Sequence, residues 1–113
     1  MCSKNGGGDQ EGIDNIMDLA QFTATLDRSR PDPAWPVTLR ALWHAADGDW
    51  DRAHKLVQSE SDAAAAWVHA YLHRVEGDLL NAGYWYRRAG KPAATGALKA
   101  EWQDLVQTLL AEG

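Results

Sequence analysis

This sequence has little cysteine, no long apolar run and no excess of positive charge, and each shortage argues against a class of protein. Its one cysteine, Cys2, cannot close a disulfide within the chain, so we expect a fold that does not depend on an oxidising compartment. No apolar run approaches the roughly 18 residues that a membrane-spanning helix needs, and the N-terminal residues lack the apolar core of a secretion signal. These absences predict a cytoplasmic protein with no membrane partner.

The charge balance argues against a nucleic-acid partner. Eleven basic side chains stand against sixteen acidic ones, which leaves a formal net charge of -5. Such a balance repels a phosphate backbone, and no basic stripe overrides it. The sequence also has no glycine-rich phosphate loop and no serine or cysteine nucleophile with a recognisable base. We therefore predict a protein that is not an enzyme and carries no cofactor.

The residues that are present predict one domain after a short tail. The chain has 113 residues, of which 45% are hydrophobic and six are tryptophan, so it can build a sizeable core. Residues 1–12 are polar and rich in glycine, with nothing to bury, and are expected to be disordered. Residues 13–113 are expected to form a single helical domain.

One segment of this domain occurs twice in the sequence. Residues 41–53 (ALWHAADGDWDRA) return as residues 70–82 (AYLHRVEGDLLNA), an offset of 29 positions (70 minus 41). Self-similarity at a fixed period is typical of stacked supersecondary units. In each copy a glycine, Gly48 or Gly77, interrupts a helical pattern, and the aspartate that follows can accept from the free amides of a new helix. Each copy is therefore predicted to be a helix, a tight turn and a second helix.

The apolar spacing predicts an all-α fold of about six helices. Flanking helices at about 14–28, with Asp14 as its cap, and at about 97–111 are expected to cap the two repeats. Repeat 1 spans about 36–60 and repeat 2 about 62–92. Their four helices are expected at about 36–47, 49–59, 62–76 and 78–89.

The repeated segment resembles the tetratricopeptide repeat over about residues 35–92. The resemblance lies in the Gly-Asp turn, in a small residue five positions after the glycine (Ala53, Ala82) and in another seven positions before it (Ala41, Ala70). The period of 29 residues is shorter than the family's roughly 34, and two copies are fewer than the usual three or so. The resemblance implies antiparallel helical hairpins stacked as a short solenoid, which the flanking helices complete.

The resemblance also implies a non-catalytic module for protein or peptide interaction. Repeats of that family bind extended peptides or partner helices in a groove lined by the first helix of each hairpin. A homodimer, with a second copy as the partner, is a further expectation. For Trp67 and Tyr71, packing in the core of so small a domain is the alternative. Counting back from each glycine, the groove positions are Trp67, Tyr71 and Arg74 in repeat 2 and Trp35, Thr38 and Leu42 in repeat 1.

Histidine spacing supports an alternative function. His69 and His73 lie one helical turn apart on one face, a spacing that can chelate a metal ion, so a His-based metal or small-ligand protein is the second hypothesis. Against it, His44 and His73 occupy the same place in the two copies, each three residues before an acid, which favours a packing role. His54 has no counterpart and is expected at the surface.

Overall fold

The computed structural model describes residues 17–112, and over that range the chain is all-helical, with six α-helices and no strand. The predicted helical class and the number of helices are confirmed. Across the same residues, no helix combines the length and the apolarity needed to cross a membrane. The tail predicted for residues 1–12 and the cap predicted at Asp14 lie outside the described residues. The helices are α1 (Leu19–Ala24), α2 (Val37–Ala46), α3 (Trp50–Gln58), α4 (Ala63–Val75), α5 (Leu79–Ala89) and α6 (Leu98–Glu112).

The two repeated glycines build the same turn. Gly48 has a φ of +85° and Gly77 one of +87°, in the left-handed region that glycine adopts without steric cost. In each turn the glycine N–H donates to the carbonyl three residues back, and the next N–H donates to the carbonyl five residues back, which is a Schellman motif. The side chain of that next residue, Asp49 or Asp78, then accepts from the amide three residues further on. The predicted turn and cap are confirmed in both copies.

The helices on either side of each turn pack on one another. We call α2 with α3 hairpin 1 and α4 with α5 hairpin 2; α3 also packs on α4 and joins the two. Small side chains are buried where the helices of each hairpin meet, with Ala41 and Ala70 at 0% exposed and Ala53 and Ala82 at 0% and 2%. Alanine at these positions lets the two helix backbones approach closely.

The last helix, α6, closes the core over the first helix of each hairpin. It packs against α1, α2 and α4. Its buried stripe carries Trp102, Leu105, Val106 and Leu109, and the indole N–H of Trp102 donates to the carbonyl of Leu42 at 2.8 Å.

Candidate functional site

The face that was predicted as a peptide groove is covered by α6. Leu42 is fully buried and Tyr71 is 7% exposed, and both belong to the main core. Trp35 and Trp67 are partly buried against the same core, and Thr38 is half-buried. A partner would reach Leu42 or Tyr71 only if α6 moved away. The groove is closed at Leu42 and Tyr71, whereas Trp67 and Arg74 line a cavity beside α6, and partner binding by the predicted residues stays a prediction.

Arg74, the sixth predicted groove residue, holds α4 against α6. Its guanidinium lies 2.9 Å from a carboxylate oxygen of Glu101, and the two side chains are 11% and 5% exposed. The other carboxylate oxygen accepts from the Tyr86 hydroxyl at 2.5 Å and faces the Trp67 indole N–H at 3.4 Å. Burial, together with the hydrogen bond to Glu101, raises the pKa of Tyr86, which keeps its hydroxyl a neutral donor. Arg74 also donates to the carbonyl of Gly96.

Three histidines from the two hairpins meet on the other side of α4. His54 comes from α3, and His69 and His73 come from α4; one ligand nitrogen of each lies within 4.8 Å of the other two. The Nε2 atoms of His54 and His69 are 2.9 Å apart, a hydrogen bond between the rings. His69 and His73 are buried at 5% and 6% exposed, and His54 is half-buried. We call these residues the histidine cluster.

The prediction that His54 lies at the surface was wrong. Its counterpart in hairpin 2, 29 positions on, is Gly83 on α5. That side of α3 packs against α4, whereas no helix of the described chain packs in the same way against α5. Comparison of the two copies therefore suggested no role for His54, because the contact that it makes exists only at the joint between the hairpins.

A carboxylate sets the tautomer of His73. Its Nδ1 lies 2.5 Å from a carboxylate oxygen of Glu76, the acid that the sequence places three residues later. The ring nitrogen that faces a carboxylate carries the proton, so the lone pair of the neutral ring is on Nε2. The same arrangement orients histidines that bind metals in proteins.

Two indoles stack on the other two imidazoles. The ring of Trp50 lies on His54, with centroids 4.7 Å apart and planes 9° apart, and Trp85 lies on His69 at 3.9 Å and 12°. The indole N–H of Trp50 donates to the carbonyl of Leu72 at 2.6 Å, which holds that ring in place. Each stacking contact therefore holds the plane of its imidazole nearly parallel to that of an indole.

Burial favours the neutral form of two of the three imidazoles, those of His54 and His69. Burial, and then the neighbouring His54 and His73, lower the pKa of His69 to about 4. Burial also lowers the pKa of His54, with His73 as the next cause. A neutral imidazole keeps the lone pair that a positive ion needs, so little proton competition is expected at His54 and His69 at physiological pH.

The lowered pKa of His69 predicts that the fold loses stability in acid. The unfolded imidazole titrates near its ordinary 6.5 and the folded one near about 4, so between these values the unfolded state binds more protons and stability falls with pH. We expect a loss of roughly 1 kcal/mol between pH 7 and pH 5.5. Urea denaturation with a chelator at the two pH values measures it. His69→Gln should reduce the loss, and an equal loss in both proteins would contradict the assignment.

No protein-family model, curated protein or solved structure matches this chain. Sequence reasoning found His69 and His73 because they share one helix, where spacing shows which residues face the same way. It missed His54, Trp50 and Trp85, which join the cluster only through packing between helices.

Proposed function

We propose that this protein binds one divalent transition-metal ion through His54, His69 and His73. The observation that carries this proposal is the approach of three ring nitrogens to within 4.8 Å of one another. At metal–nitrogen distances of about 2.0–2.1 Å, tetrahedral ligands lie about 3.4 Å apart. The Nε2 atoms of His54 and His69 are 2.9 Å apart and no pair exceeds 4.8 Å, so each ring needs to move by only about 1 Å or less to enclose an ion. The proton between the two Nε2 atoms moves to the Nδ1 atom of its ring when the ion enters.

The ligand set selects the class of ion. Imidazole nitrogen favours Zn²⁺, Cu²⁺, Ni²⁺ and Co²⁺, whereas Mg²⁺ and Ca²⁺ prefer oxygen ligands. Among these ions the affinity order places Cu²⁺ first. Three protein ligands leave a fourth position for water, as at open zinc sites. Glu76 acts from outside the site, because its hydrogen bond to His73 orients that ring.

The proposal also covers the arrangement of the helices that carry this site. Hairpins 1 and 2 are two short repeats of a tetratricopeptide-like solenoid, with α1 and α6 as caps. The identical turns at Gly48 and Gly77 and the packing of α3 on α4 support this arrangement. The histidine cluster then lies at the joint between the repeats, where a bound ion links hairpin 1 to hairpin 2.

Metal titration of the untagged protein tests the function. Calorimetry with Zn²⁺, Ni²⁺, Co²⁺ and Cu²⁺ should show one ion bound per chain, and the thermal midpoint should rise with occupancy because the ion binds only the folded state. Cu²⁺ should also quench the fluorescence of Trp50 and Trp85, which stack on two of the ligands. A folded protein that takes up none of the four ions would overturn the proposal.

A further inference from the structure

A cleft between α4 and α6 holds two cavities. The larger, of about 450 Å³, lies beside the connection at 90–97 and the first half of α6, and the smaller, of about 120 Å³, lies toward the end of α6. Both are lined by Trp67 and Lys91, so the contact between these two side chains separates them. We call the two cavities together, lined among others by Trp67, Lys91, Asp104 and Glu112, the α4–α6 cleft.

An ammonium group already lies on the aromatic floor of this cleft. The Nζ of Lys91 is 4.4 Å from the centroid of the Trp67 ring, which is close enough for a cation–π contact. The ring is half-buried, and its indole N–H faces the Glu101 carboxylate at 3.4 Å. The backbone N–H of Lys91 donates to the Tyr86 carbonyl at 3.0 Å, whereas Lys91 itself is exposed, so its ammonium can leave the ring without disturbing the backbone.

The charged groups around the cleft favour a positive ligand at the place of this ammonium. Arg74 and Glu101 compensate each other in their buried ion pair. Asp104 lines the larger cavity and Glu112 the smaller one; both are exposed, and neither forms an ion pair within residues 17–112. When Lys91 moves away, the cleft presents an aromatic face between two uncompensated carboxylates, in a chain of net charge -5.

The spacing of the two acids selects the shape of the ligand. Asp104 and Glu112 are eight positions apart on α6 (112 minus 104), which is about 12 Å along the helix axis. The walls of both cavities are rich in alanine, which suits a thin apolar chain: Ala93, Ala94, Ala97 and Ala100 in the larger cavity and Ala63, Ala64 and Ala89 in the smaller one. A linear alkyl polyamine has this form, with ammonium groups at its ends and methylene groups between them.

We propose that the α4–α6 cleft binds a linear alkyl polyamine, whose end ammonium groups pair with Asp104 and Glu112 while its chain lies on Trp67. The Lys91 side chain, itself a methylene chain that ends in an ammonium group, covers the ring in the free protein and is displaced by the ligand. This site is independent of the metal proposal, because the histidine cluster lies on the other side of α4.

Lys91→Ala is the decisive variant for this site. An NMR titration at low salt with diaminooctane as the probe should shift the indole N–H resonance of Trp67 and give a dissociation constant below about 1 mM. The wild type should bind about tenfold more weakly, because the ring is closed to the ligand for as long as Lys91 covers it. Lys99→Ala removes the same charge from an exposed position of α6 outside the cleft, and it should bind as the wild type does.

Two comparisons test the fit at the ends of the ligand. Diaminopropane carries the same charge as diaminooctane but is too short to reach both acids, so it should bind Lys91→Ala about two- to fivefold more weakly. Asp104→Asn and Glu112→Gln, each added to Lys91→Ala, should weaken the binding of diaminooctane by a similar factor of about two to five. Asp51→Asn, at an exposed acid on α3, should not.

Three results would overturn this site. Absence of binding to both the wild type and Lys91→Ala at about millimolar diaminooctane would show that the cleft takes no polyamine. Equal affinity of Lys91→Ala and Lys99→Ala would show that Lys91 does not occupy the ligand's place. Equal binding of the two diamines would show that the affinity follows charge alone.

Discussion

Replacing Glu101 with alanine should cost about 3–5 kcal/mol in free energy of unfolding, because it leaves a buried charge without its partner. The Arg74 guanidinium would lose its ion pair, and the Tyr86 hydroxyl and Trp67 indole would lose their acceptor. A domain of this size is stable by about 5–15 kcal/mol, so the variant should be close to unfolding at room temperature. Guanidinium denaturation followed by circular dichroism measures the change.

Two further variants separate the ion pair from the helix that carries it. Asp104→Ala changes an exposed acid one turn further along α6 and should alter stability by no more than about 0.5 kcal/mol. The double variant Arg74→Met with Glu101→Leu removes both charges and should recover much of the loss, since apolar replacements of buried ion pairs are often neutral. A Glu101→Ala protein as stable as the wild type would show that the pair does not hold α6 in place.

Removal of one ligand should have the largest effect on metal binding. We expect His69→Gln to lower the affinity for Zn²⁺ by at least about a hundredfold, because substitutions outside the coordination shell already cost about 10- to 100-fold. Competition with a chromophoric chelator measures the affinity. Glutamine keeps much of the ring's volume, so the helices should pack as before, and circular dichroism checks that they do.

His44 provides the matched control for this experiment. It is a buried histidine at the position in hairpin 1 that corresponds to His73, yet it lies outside the histidine cluster. His44→Gln should keep wild-type affinity. Equal loss of Zn²⁺ binding in His44→Gln and His69→Gln would show that the affinity follows general stability and not the cluster.

Local chemistry explains which parts of the fold were predictable. The turns at Gly48 and Gly77 need a residue that tolerates a positive φ, followed by a residue that caps a helix, and both requirements are visible in neighbouring residues. The helices of both hairpins consequently begin and end within about two residues of their expected positions. An amphipathic stripe on α6 also shows that this helix buries one face.

What that stripe cannot show is the surface on which the helix packs. The expected groove residues Leu42 and Tyr71 are apolar and aromatic, and such side chains suit a partner peptide and the chain's own last helix equally well. In the structure, α6 takes that place, and its Trp102 is hydrogen-bonded to the Leu42 carbonyl. Whether α6 or a partner helix covers this face depends on contacts between residues far apart in the chain. A single sequence does not show such contacts.

The shared aspartate of each turn limits where this molecule can bend. Asp49 is hydrogen-bonded to both helices, since its N–H donates to the last turn of α2 and its side chain caps α3. No flexible linker separates the two helices, so we expect α2 and α3 to rotate together. The same holds for α4 and α5 at Asp78. Each hairpin should therefore move as a rigid body, and bending should occur in the connections at 59–62 and 90–97. An ion held by the histidine cluster would act on the first of these hinges and stiffen it.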